Sequence, residues 1–246
     1  DPELFIFNTK TNQVVSAIGI IPGEKGKPYT KGMPKGFGVE IDCILGEFNI
    51  PPCTSSNEFV DSIKYMKDWI RNNLDICCSA SMPVPEDQLL DPKANEIGCS
   101  SDYDAYTECE NDKPQGYPDN RRVAGSHIHI GYDNPNFDTS VKLIKFFDLC
   151  CGVPSVLYDR DTFRRTLYGQ AGSFRCPEWG VGARCLSSFM LNDKYLPMIY
   201  KQTMLAVDMF NEGFPLPEGD LVQKCINTSN KVLAEHLIKL YGICAD

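Results

Sequence analysis

Two of the three histidines in this chain stand one residue apart in AGSHIHIGY, residues 124–132. A strand alternates its side chains, so a strand here turns His127 and His129 to one face and Ile128 and Ile130 to the other. Paired imidazoles, flanked by Gly125 and Gly131 that permit close approach, suit contact with a metal or a phosphate. A hydrogen-bonded structural pair on a solvated strand is the alternative. Structural zinc is disfavoured, because no cysteine pair has the Cys-x-x-Cys spacing.

A second set is acidic. In FGVEIDCILGEFNIPP, residues 37–52, Glu40 and Asp42 share one strand face, and Glu47 and Asn49 share another. Asp42 and Glu47 are an odd number of positions apart, so one continuous strand would split them. A bulge at Gly46, or a turn near Ile44, would reunite them. Carboxylates among apolar neighbours are costly unless they bind something. With Glu3 from the first strand, Glu3, Asp42 and Glu47 form an oxygen set suited to magnesium or manganese. A solvent-facing edge strand is the competing explanation.

The third set is cationic. Arg160, Arg164, Arg165, Arg175 and Arg184 fall within a short, glycine-rich stretch. Guanidinium forks suit phosphate and carboxylate. Neither a Walker A loop nor a G-x-G-x-x-G fingerprint is present. Carboxylates and an imidazole that hold cations, with arginines that hold a polyphosphate, describe an ATP site built on a sheet.

The elements that must position these residues are legible in outline. Strand signals fill the first fifty residues: Leu4–Phe7, Gln13–Ile21, and the acidic stretch. Ser55 and Glu58 form a capping box before a helix with apolar residues at Phe59, Ile63, Met66 and Ile70. Ile76–Met82 and Arg122–Tyr132 read as strands, and residues 100–121 as a long polar loop of the kind often functional. Helices are expected over Phe137–Cys151, Tyr195–Asn211 and Asn230–Tyr241. The order predicts an α+β fold, a largely antiparallel sheet with helices on one side, forming a single domain over residues 1–246.

Composition narrows the function. The formal net charge is -9, which argues against a broad nucleic-acid surface. No apolar run reaches the length of a membrane span and no leader pattern is visible, so no transmembrane helix is expected; the cytoplasmic expectation rests on the cysteines, with a secreted disulfide framework as the alternative. The 12 cysteines read as reduced thiols in apolar surroundings.

Taken in order, DPELFIF, SAIGIIPG, GEFNIPP, GCSSDYDAYT, GSHIHIGY, RRTLYGQAGSFR and ARCLS resemble the phage-encoded amidoligases, carboxylate-amine ligases of type 2 with the glutamine synthetase and glutamate-cysteine ligase fold. The resemblance runs from Asp1 to about Met190. It implies an ATP- and magnesium-dependent ligase, with manganese as a possible substitute, acting on small-molecule or peptide carboxylates and amines in the cytoplasm of an infected bacterial host. It assigns Glu3, Asp42, Glu47 and His129 to the metal, with His127 as a second imidazole at the cofactor. Arg175 and Arg184 face the phosphates, joined by Arg164 and Arg165. Glu47, Arg175 and Arg184 carry the catalysis. One departure stands out: the family places a glutamate, a metal ligand, where this chain has Gly182 in Gly180-Val181-Gly182-Ala183-Arg184. That substitution raises a non-catalytic nucleotide- or peptide-binding relative as an alternative. A metal-dependent hydrolase is another.

Overall fold

The computed structural model describes residues 1–71, 74–97, 102–112, 114 and 116–243. The start of the GCSSDYDAYT motif, with Cys99, and Cys244 lie outside the described residues. The strands are β1 (Glu3–Asn8), β2 (Gln13–Val15), β3 (Gly38–Asp42), β4 (Leu45–Asn49), β5 (Asp75–Cys77) and β6 (Ser81–Pro83). They continue with β7 (Tyr103–Asp104), β8 (Arg121–Val123), β9 (Ile128–Gly131), β10 (Ser173–Arg175) and β11 (Gly180–Ala183). The helices are α1 (Ser56–Arg71), α2 (Phe137–Phe147), α3 (Val153–Tyr158), α4 (Arg164–Leu167), α5 (Leu196–Asn211), α6 (Gly219–Asn227) and α7 (Lys231–Tyr241). Every strand pairing among the described residues is antiparallel, and the chain is α+β.

The chain divides into two compact units. The first comprises Asp1–Gly98, Pro114–Ser126 and Ser188–Pro197. Its sheet runs β2-β1-β4-β3, with β5 also paired to β1. The acidic stretch is two strands joined by a turn at Cys43 and Ile44, with Cys43 in the left-handed region at φ 57. Asp42 therefore lies opposite Leu45, and Glu40 opposite Glu47. One face of the sheet is apolar and sealed: Leu4, Ile6, Val39 and Phe48 are fully buried. Beneath the carboxylate end of the other face, Phe5, Ile44, Leu45, Val84 and Ala124 form part of a second core cluster.

Helix α1 begins as its sequence requires. Ser55 Oγ accepts from Glu58 N at 3.3 Å, and Glu58 Oε2 accepts from Thr54 N at 2.8 Å, so the return arm of the cap reaches one residue further back. Ile63, Met66 and Ile70 are buried along one side. Lys67 is buried with them, and its ammonium donates to Leu191 O and to Asp193 Oδ1, each at 2.5 Å.

The second unit comprises Cys99–Lys113, His127–Ser187 and Met198–Asp246. Its sheet runs β7-β10-β11-β9. Phe174, Val181, Ala183, Ile128 and Ile130 bury one face. Phe137 of α2 packs on that face, its ring 5.6 Å from Phe174 and 5.3 Å from Tyr103. Asn136 caps α2 by accepting from Thr139 N at 2.9 Å. The helix expected over Phe137–Cys151 loosens into a π turn at Asp148–Gly152 and then continues as α3. Pro154 has no N–H to donate, which favours such a loosening one turn before it. Helix α6 adds an element beyond the two helices expected after residue 195.

No helix among the described residues is long and apolar enough to cross a membrane. The ten cysteines among the described residues are free thiols, including the vicinal pairs Cys77-Cys78 and Cys150-Cys151. Burial pushes the Cys150 thiol up to about 12.

Candidate functional site

Each unit carries a polar strand face. In the first, the pairing register sets Glu3 of β1 and Glu40 of β3 on either side of Glu47 of β4. Asp42 follows on the same face. One carboxylate oxygen from each of Glu3, Asp42 and Glu47 lies within 4.8 Å of the others. Glu3, Glu40 and Glu47 are 5%, 7% and 7% exposed, so water screens their charges poorly.

Main-chain groups hold the set in place. Glu3 Oε2 accepts from Gly125 N at 2.6 Å, and the Ser188 hydroxyl donates to the Glu3 carbonyl. The glycine-rich loop folds back along β3, where Tyr29 and Val39 bridge. It can do so because a Cβ at Gly23, whose φ is 94°, would stand 2.4 Å from Val39 O. This loop brings Lys25 Nζ to 2.6 Å from Asp42 Oδ2 and the N–H groups of Gly26 and Lys27 to Glu40. Glu40 Oε2 is nonetheless buried with no hydrogen-bond partner.

Crowded, buried carboxylates resist ionisation. Glu47 is raised to about 8, by burial first and then by the charges of Glu3, Asp42 and Glu40. Glu40 is raised as well, burial outweighing the N–H of Gly26. A divalent cation would reverse both penalties, and an all-oxygen donor set fits a hard ion such as magnesium or manganese. Glu3, Asp42 and Glu47 would hold it, with Glu40 beside them.

In the second unit the strand reading of the histidines meets a shorter strand. β9 starts at Ile128, so His127 sits at its entrance, buried, while His129 keeps an accessible edge. On β9, β11 and β10 the register aligns His129, Gly182 and Arg175 in one row. A Cβ built on Gly182 would stand 3.6 Å from His129 Nε2, ordinary van der Waals contact. The His129 ring stacks on Trp179, centroids 4.9 Å apart and planes 21° apart. Enclosure by protein lowers the His129 pKa, and Arg184 and Arg175 lower it further. Burial also holds His127 well below the usual imidazole range, with Arg184 and Arg164 adding to it. Both imidazoles are neutral at pH 7 and so able to accept at one nitrogen.

The arginines divide by role. Arg184 Nε pairs with Asp102 Oδ2 at 3.1 Å, both largely buried. Arg164 is fully buried; Nη1 donates to Cys185 O at 3.3 Å and Nη2 to Arg184 O at 3.0 Å. This guanidinium positions the backbone that carries Arg184. Arg165 donates to Ser155 Oγ and Ser229 Oγ, each at 3.0 Å. Arg160 is exposed.

Of the residues singled out in sequence, the structure thus gathers Glu3, Asp42 and Glu47 in the first unit. His127, His129, Arg164, Arg165, Arg175 and Arg184 belong to the second. Several contributors carry no sequence signal of their own. Glu40 is marked only by strand alternation, and Asp102 and Trp179 are placed by pairing between distant segments. Asp148, in the π turn, is a buried carboxylate that accepts from Gly172 N at 2.5 Å and from the Tyr106 hydroxyl at 3.2 Å. Burial lifts it to about 7.

Set against known protein families, curated proteins and solved structures, the chain matches none.

Proposed function

We propose that the protein is a divalent-cation-dependent ligase that uses ATP to join a carboxylate to an amine. The observation that carries this reading is the convergence of Glu3, Asp42 and Glu47 from three neighbouring strands. Buried carboxylates this close are unfavourable alone and favourable around a cation. The resemblance to the amidoligases supplies the reaction, and it assigns Arg175 and Arg184 to the phosphates, the type of cation that phosphoryl transfer needs. The substrate carboxylate attacks the γ-phosphorus of ATP, giving an acyl phosphate and ADP. The amine then attacks the acyl carbon and expels inorganic phosphate, leaving the amide. Arg175 and Arg184 would stabilise charge on the transferring phosphoryl group. Substrates are small-molecule or peptide acids and amines, and the setting is the cytoplasm of an infected bacterium.

Gly182 favours one second reading, a relative that binds nucleotide without turnover, because the family's glutamate is missing from the row it occupies. A thermal-shift titration with ATP, with and without magnesium, on wild type and Glu47→Gln tests the proposal. A ligand at about 100 times its Kd adds about 2.7 kcal/mol of stability, a shift of roughly a few degrees. A magnesium-dependent shift that disappears in Glu47→Gln supports the ligase. A response to manganese or zinc alone, with none to ATP, overturns it in favour of a metal-dependent hydrolase. ATP binding with no ADP release across a panel of acids and amines selects the non-catalytic relative.

A further inference from the structure

The strand row of the second unit carries an aromatic surface that phosphoryl transfer does not use. Trp179 lies in the connection between β10 and β11, its carbonyl accepting from Tyr132 N at 3.3 Å. That connection can press against β9 because Gly180 has no side chain; a Cβ there would stand 2.0 Å from Ile130 O. The indole is covered on one side by the His129 imidazole, yet the residue remains 49% exposed. A tryptophan held flat by a partner ring, with its remaining surface in water, is a prepared stacking platform. Next to the platform, a Cβ on Gly182 would meet only the His129 ring, and Arg175 pairs with Gly182 from the strand opposite His129. Arg175 and Arg184 disfavour a cation here, although an indole face alone would accept one. The chemistry that fits is a flat ring joined to an anionic group.

We propose that the His129–Trp179 stack holds the planar base of a nucleotide, whose anionic part is drawn towards Arg175. This assignment rests on the ATP-dependent reading above, and adds to it the residue that recognises the base. Because Trp179 is half exposed, its replacement leaves the core intact.

Calorimetric titration of Mg·ATP and of Mg·tripolyphosphate into wild type, Trp179→Leu and Trp179→Phe separates base from phosphate. Stacking of this kind predicts that Trp179→Leu binds Mg·ATP roughly 5- to 150-fold more weakly. The same variant binds Mg·tripolyphosphate within about 2-fold of wild type, and Trp179→Phe retains most of the ATP affinity. Equal weakening for both ligands, or no weakening for either, overturns the assignment while leaving the ligase reading intact. Wild type that binds neither ligand overturns both.

Discussion

The two polar strand faces are built alike and filled differently. Each is a row of one residue from three adjacent antiparallel strands: Glu3, Glu47 and Glu40 in the first unit, Arg175, Gly182 and His129 in the second. The central place holds a buried carboxylate in one and no side chain in the other. The acidic row is thus overfilled with like charge, which a bound divalent cation would relieve. The row in the second unit carries no carboxylate and has no side chain at its centre, where a Cβ would meet only the His129 ring. Their supports differ too. Main-chain N–H groups hold Glu3 and Glu40, whereas Arg184 depends on the buried Arg164 and on Asp102.

Removing that buried support gives the largest effect. Arg164→Met strips two carbonyls of their donors in a region sealed from water. It should cost roughly 3–5 kcal/mol in denaturant unfolding. A cost under about 1 kcal/mol would mean that the Arg184 backbone is held some other way.

The overfilled row is tested through pH. Glu47 sits at about 8 when folded against 4.5 for an ordinary glutamate, so the folded protein keeps this proton where the unfolded chain has lost it. Metal-free stability should therefore fall as pH rises from about 4.5 towards about 8. Glu47→Gln removes its share of that slope and should be more stable than wild type at high pH by roughly 2–4 kcal/mol. Saturating manganese should close the gap by stabilising only the wild type. Parallel pH profiles for the two proteins would contradict a crowded carboxylate row.

Filling the empty centre is the converse change. Gly182→Ala meets only van der Waals contact at its Cβ, so stability should change by no more than about 1 kcal/mol, and Gly182→Glu adds a carboxylate beyond that Cβ. The new carboxylate should move the His129 pKa upward by roughly 1–2, followed by NMR titration. An unmoved His129 would place the carboxylate away from the ring. The smallest effect belongs to Lys25, half exposed where it meets Asp42. Lys25→Ala should alter stability by about 0.5 kcal/mol or less, and more at low salt.

How much of this could be read beforehand follows from the range of each signal. Alternation in VEID put Glu40 and Asp42 together, because side-chain parity is local. It left Glu47 undecided, because the answer lay in whether the chain turned at Cys43–Ile44. The histidine pair was visible, but not the strand start at Ile128 that separates a buried His127 from an accessible His129. The α1 cap and its buried Ile63, Met66 and Ile70 were legible for the same local reason. Trp179, Asp102 and Asp148 acquire their settings from segments remote in the chain, and no spacing encodes that. Helix α6 is too short for its periodicity to stand out, and the π turn at Asp148–Gly152 hides within an unbroken apolar pattern.

The Cys43–Ile44 turn sets a tolerance that point substitutions do not reveal. Surface loops usually accept extra residues at little cost. Here the spacing from Asp42 to Leu45 decides which side of β4 meets β3's acids, and strand side chains repeat every two residues. One codon inserted between Asp42 and Leu45 keeps Glu47 opposite Glu40 if the turn takes it up as a three-residue loop, whereas taken up by the strand pairing it would trade Glu47 for Gly46 or Phe48 and carry the carboxylate to the apolar side. Two inserted codons could extend the loop and keep the parity. Along this stretch the hairpin can lengthen only where the added residues stay in the turn, because the pairing of β3 with β4 has no slack of its own.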